Sequence, residues 1–128
     1  MKINNHNVLI TGGASGIGKI MGRIALEKGA KCVIIWDINE KNIATTVEEF
    51  AQIGKVKGYR VDVGNIEAIR NAYATVTKEC GDIDILVNNA GIIKRIPMIE
   101  TSAEDFRRVV DVDLTAAFIC AKAVLPDM

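Results

Sequence analysis

Three glycines and one carboxylate carry the most specific chemistry in this chain. The run Thr11-Gly12-Gly13-Ala14-Ser15-Gly16-Ile17-Gly18 directly follows the apolar stretch Val8-Leu9-Ile10. Glycines at 12, 16 and 18, at a strand-to-helix junction, let the backbone turn tightly and approach a pyrophosphate, whose charge meets free N–H groups at the start of a helix. The phosphate-facing surface is then main chain, Ser15 and Ile17 included. About twenty residues beyond Gly18 comes Asp37, closing Cys32-Val33-Ile34-Ile35-Trp36, at the spacing of a carboxylate that hydrogen-bonds ribose hydroxyls. A carboxylate there repels a 2′-phosphate, so the pattern predicts a dinucleotide site that takes NAD and disfavours NADP. A glycine triplet alone also fits a plain tight turn. The succession of strand, turn, helix, second strand and terminal acid is what argues for a ligand.

Little else in the composition offers chemistry. His6 is the only histidine, so a metal site built on imidazoles is not expected. Cys32, Cys80 and Cys120 are odd in number, widely spaced and free of any Cys-x-x-Cys pattern, which predicts buried, reduced thiols in a cytoplasmic protein. Sixteen basic and sixteen acidic residues cancel, and their clusters are short and mixed. Nucleic acid and anionic membrane surfaces are therefore not expected as partners, and a small molecule is. The N-terminal stretch Met1-Lys2-Ile3-Asn4-Asn5-His6-Asn7 lacks the apolar core of a signal peptide, and no window approaches a membrane span.

The elements that must position these residues alternate. Strands are predicted near 7–11, 31–37, 55–62 and 83–88, and helices near 16–29, 40–53, 65–80 and 102–126. Crossovers of this length require a parallel sheet covered by helices on both faces. The expected fold is a Rossmann-type, doubly wound α/β sheet of about four strands, with residues 1–128 as one domain. Val8–Ile10, Val33–Trp36 and Ile83–Val87 are nearly continuous apolar runs, as strands buried on both faces require. Lys55-Val56-Lys57-Gly58-Tyr59-Arg60 is half polar and belongs at an edge. Asp37 and Asp62 then end neighbouring strands beside the crevice where such sheets bind ligands. Trp36 is expected in the core, Lys19 as a solvated helix side chain, and Thr101-Ser102 as a capped helix start.

Four motifs in order give the whole chain its resemblance to the N-terminal half of the short-chain dehydrogenase/reductase family. Thr11-Gly12 through Gly18 resembles the family's T-G-x-x-x-G-x-G phosphate loop, and Asp37 with Ile38 its NAD-selecting strand end. Asp62-Val63 is similar to the pair that contacts adenine, and Asn88-Asn89-Ala90-Gly91 to the N-N-A-G run that lines the cofactor. Members that prefer NADP carry a basic residue where this chain has Ser15 or Ile38.

The resemblance implies hydride transfer between nicotinamide and an alcohol or carbonyl, with a Ser, a Tyr and a Lys handling the oxygen and its proton. It also implies that these groups lie beyond this chain, leaving no catalytic residue within it. No Tyr here has a Lys four residues on: Tyr59 is followed by Val63 and Tyr73 by Thr77, so both are assigned to packing. Asp113 stands where the family has an Asn whose main-chain carbonyl supports a proton-relay water; it would equally cap or kink a helix. Gly91-Ile92-Ile93-Lys94-Arg95-Ile96-Pro97-Met98 is similar to gluconate 5-dehydrogenase-like members, where Lys94 and Arg95 would hold a substrate carboxylate, although exposed loop charges are as readily solvated.

From Val109 to Leu125 the last helix is apolar around most of its circumference and so needs cover on two sides. That predicts a homo-oligomer formed through it. The reading that competes with a dehydrogenase half is a non-catalytic dinucleotide-binding or oligomer-forming domain.

Overall fold

The computed structural model describes residues 1–128. Strands β1 (Asn7–Thr11), β2 (Cys32–Asp37), β3 (Val56–Arg60) and β4 (Ile85–Val87) form one sheet in the order β3-β2-β1-β4, every pair parallel. Three helices, α1 (Gly16–Glu27), α2 (Glu40–Ala51) and α3 (Ile66–Cys80), come between the strands, and α4 (Ala103–Val110) follows β4. A π-type turn at Asp111–Thr115 runs α4 on into α5 (Ala116–Val124), and short 3-10 turns lie at Met98–Glu100 and Leu125–Asp127. This is a truncated Rossmann-type α/β fold.

Alternation along the strands builds two cores. Val8, Ile10, Val33 and Ile35 pack with Ala25, Leu26, Ile43 and Phe50 from α1 and α2. Leu9, Ile34 and Trp36, pointing the other way, pack with Ile69, Val76, Val112, Ala116, Cys120 and Val124 from α3, the π turn and α5. Successive strand residues face opposite sides, so strands that are apolar throughout can feed both layers. Each large side chain fully removed from water contributes roughly 1.5–3 kcal/mol.

The half-polar strand β3 takes an edge, as its composition predicts. The strand predicted at 83–88 is shorter, and β4 is only half-buried although its run is as apolar as β1. It has one neighbour, β1, and Ile83 reaches the core from outside the strand. The helix predicted at 102–126 is one helical path interrupted by the π turn. Its inward face is Val112, Ala116, Cys120 and Val124, at a spacing of four. Phe106, Leu114 and Phe118 stay more than 60 % exposed on the other side. No helix is long and apolar enough to cross a membrane.

Candidate dinucleotide site

The strand order turns at β1, whose chain neighbour β2 lies on one side while β4 lies on the other. At such a switch point the loops leaving the two strands diverge and open a crevice at their carboxyl ends. Here the loop after β1 is 12–15 and the loop after β4 begins at Asn88.

One buried hydroxyl ties these loops together. Thr11 Oγ1 accepts from the Asn89 and Ala90 amides, both at 3.0 Å, and the Asn89 side-chain amide donates to the Thr11 and Gly12 carbonyls at 3.0 and 3.1 Å. Gly12 and Gly16 hold φ of +65° and +52°, the left-handed region that favours glycine. Gly18 is required for closeness: a Cβ there would collide with the Gly12 carbonyl and lie 2.5 Å from Asn89 Nδ2.

The start of α1 differs from the other helix starts. Asn39, Asn65 and Ser102 each accept a backbone N–H at the head of α2, α3 and α4. Ser15, in the corresponding place on α1, makes no such bond, and the first turn holds no acidic side chain. Ser15, Gly16 and Ile17 are exposed, and nothing stands within 4 Å of a Cβ built on Gly16. The first amides of a helix need partners, and at α1 no cap side chain supplies one.

Asp37 ends β2 beside this loop. One carboxylate oxygen accepts from the Ala14 amide at 3.0 Å and the other from Asn39 at 3.1 Å, which fixes the group without removing all its lone pairs. Asp62 follows β3; its Oδ1 accepts from the Gly64 amide at 2.9 Å and from Arg108 Nη2 at 3.0 Å. These groups line one cleft of about 380 Å³. Gly12, Ser15, Gly16 and Ile17 form one wall, Asp37, Ile38, Asp62 and Val63 the second, and Asn89, Ala90 and Gly91 the third. Trp36, 1 % exposed, is part of the floor, and Arg108 and Val112 reach in from the last helical segment.

Residues 6–128 match the family described as short chain dehydrogenase. The chain belongs to that family. It is 37 % identical over 121 residues to 2-dehydro-3-deoxy-D-gluconate 5-dehydrogenase of Formosa agariphila, covering 94 % of this chain and 46 % of that one. It is 36 % identical to a 3-oxoacyl-(acyl-carrier-protein) reductase of Thermotoga maritima, over 100 % of this chain and 52 % of the other. The crystal structure of 2-keto-3-deoxy-D-gluconate dehydrogenase from Streptococcus agalactiae superposes with a TM-score of 0.85 at 40 % identity, over 98 % of this chain and 47 % of that chain. The chain thus spans about half the length of the relatives it matches.

Gly12, Ser15, Gly16, Ile17, Asp37, Ile38, Asp62, Val63, Asn89, Ala90 and Gly91 line the cleft as the sequence predicts and Gly18 supports it from behind, whereas Asn88, whose side chain donates to the Ala117 carbonyl at 3.3 Å, and Lys94, Arg95 and Asp113 lie outside its lining. Asp113 is fixed by the π turn so that its Oδ1 accepts from the Ile92 amide at 2.8 Å, holding the loop after Gly91. Lys94 pairs with Asp105 at 2.8 Å, away from the cleft, and holds the Asp105 carboxyl below its ordinary range. Lys19, expected in solvent, pairs with Glu49 at 2.8 Å. Tyr59 and Tyr73 pack against the core, their hydroxyls on Glu79 and Asp127. Burial, then the neighbouring carboxylates, push both phenols well above their usual range.

Two functional features were missed in the sequence. Arg108 joins Asp62 across 46 positions, a separation no local spacing reveals. Thr11 was noted only as the start of the glycine run; a hydroxyl directly at a strand's carboxyl end was the available signal.

Proposed function

We propose that this chain is the cofactor-binding part of an NAD-dependent oxidoreductase that moves hydride between a nicotinamide and an alcohol or carbonyl of a small molecule. The observation that carries this reading is the fixed Asp37 carboxylate standing beside a helix start that has no side-chain cap and has open space at Gly16. A diphosphate fits the amides of that start and the room at Gly16. Asp37 accepts from ribose hydroxyls and repels a 2′-phosphate. Asp62 and Val63 take the adenine end, Ile38 flanks the ribose, and Asn89, Ala90 and Gly91 line the way toward the nicotinamide. The bound nicotinamide supplies or accepts the hydride; the residues of this chain hold and orient it.

No Tyr of this chain has a Lys four residues on, and the hydroxyls of Tyr59 and Tyr73 sit on Glu79 and Asp127 outside the cleft lining. In this reading the 128-residue chain binds cofactor as a single domain without turning it over, and Ser, Tyr and Lys groups outside it complete the site. The likeness to two 2-dehydro-3-deoxygluconate dehydrogenases supports a sugar acid as the substrate class. The protein works in the cytoplasm as a homo-oligomer, with Phe106, Leu114 and Phe118 on the contact face. That same face supports the second reading, a non-catalytic dinucleotide-binding or assembly module.

Calorimetric titration with NADH and NADPH tests the cofactor assignment. NADH is expected to bind at least tenfold tighter, and Asp37→Ser to narrow the gap by weakening NADH and relieving the repulsion of NADPH. Tighter binding of NADPH by the unaltered chain would overturn it.

A further inference from the structure

Arg108 is the one cleft-lining side chain with a full positive charge. It comes from α4, an element that none of the four sequence motifs includes, and is 38 % exposed. Its guanidinium lies over Gly64: a Cβ there would collide with Nη1. The absence of a side chain at that position is what lets the arginine descend onto Asp62.

The consequence is an asymmetric carboxylate. Asp62 Oδ1 accepts from both the Gly64 amide and Arg108, while Oδ2 has no donor from the protein. Two bonds to one oxygen fix the plane of the group and leave the other as an acceptor in the cleft wall. An acceptor held there favours a base edge carrying an amino group and opposes one carrying a keto oxygen.

We propose that Arg108 is a positioning residue for base selection, setting Asp62 to recognise the amino group of a purine and so to prefer adenine over hypoxanthine. This rests on the dinucleotide reading above and extends it to a residue and a discrimination not otherwise assigned. Arg108 acts through Asp62, to which its guanidinium is paired in the cleft lining.

The test is calorimetric titration of the full chain with NADH and with reduced nicotinamide hypoxanthine dinucleotide, which differ only at that base edge. The unaltered protein is expected to prefer NADH by about tenfold. Arg108→Met removes the ion pair, while Gly64→Ala displaces the guanidinium yet leaves both charges and the Gly64 amide's donor role in place. Each is expected to bring the ratio at least threefold closer to one. Gly64→Ala collides with the flexible end of the arginine and stands 3.1 Å from Asp62 Oδ1, a contact relieved by a shift of a few tenths of an ångström, so it keeps the fold; agreement between it and Arg108→Met, which leaves Asp62 uncrowded, assigns the effect to the guanidinium. A ratio unchanged in Gly64→Ala, or affinities for both ligands falling equally, would overturn the role of Arg108 while leaving the dinucleotide site standing. Failure of the unaltered chain to bind either ligand would overturn both.

Discussion

Thr11 shows how much a single hydroxyl can organise when it lies between two strands. Its oxygen accepts from two amides of the loop after β4, and the residue is 2 % exposed. Thr11→Val keeps the shape and strands two half-buried donors, each costing about 1–2 kcal/mol, the lower part of the range for an unpartnered group. The expected loss is about 2–4 kcal/mol, read as a lower urea midpoint at unchanged slope. Asp37 shows a second duty that the sequence did not announce. Its position at the end of an apolar run marked it as a ribose ligand, but its bonds to the Ala14 and Asn39 amides belong to loop geometry, which strand periodicity does not encode. Arg108 was invisible for a different reason: on a helix with two adjacent arginines, only the fold decides which one turns inward.

At the scale of elements, the strands, the parallel sheet and the glycine turn were legible because apolar runs and glycine spacing act locally. Element ends were less so. β4 is three residues long although its apolar run extends further, and the π turn, where Asp113 accepts from the Ile92 amide, leaves no mark in the helical periodicity. The helix starts make a sharper statement. Asn65 caps α3 through its side chain, so Asn65→Ala is expected to cost about 1 kcal/mol. Ser15→Ala at the head of α1 removes no cap bond and is expected to leave stability within about 0.5 kcal/mol. Urea unfolding of the two variants checks the contrast. Equal losses would mean that the α1 amides are satisfied by Ser15 in solution.

At the scale of the whole molecule, alkaline pH loosens the fold from its core. Burial raises the Cys32 and Cys120 thiols from 9.0 to about 11. Above pH 9 the unfolded chain gives up these protons while the folded chain keeps them, so the folded state binds more protons. The stabilisation is therefore complete below pH 9 and is lost as pH rises toward 11, and the raised tyrosines act in the same sense. Urea midpoints measured from pH 8 to 11 are expected to fall steadily, and thiol reagents to label the native protein slowly at pH 8. The paired loops at the switch point have another implication. Because one hydroxyl and one carboxamide span both, neither loop can lift away alone, and each opening of the crevice is a joint event. A diphosphate held at the head of α1 would therefore also quiet the segment after β4, carrying firmness from one side of the crevice to the other.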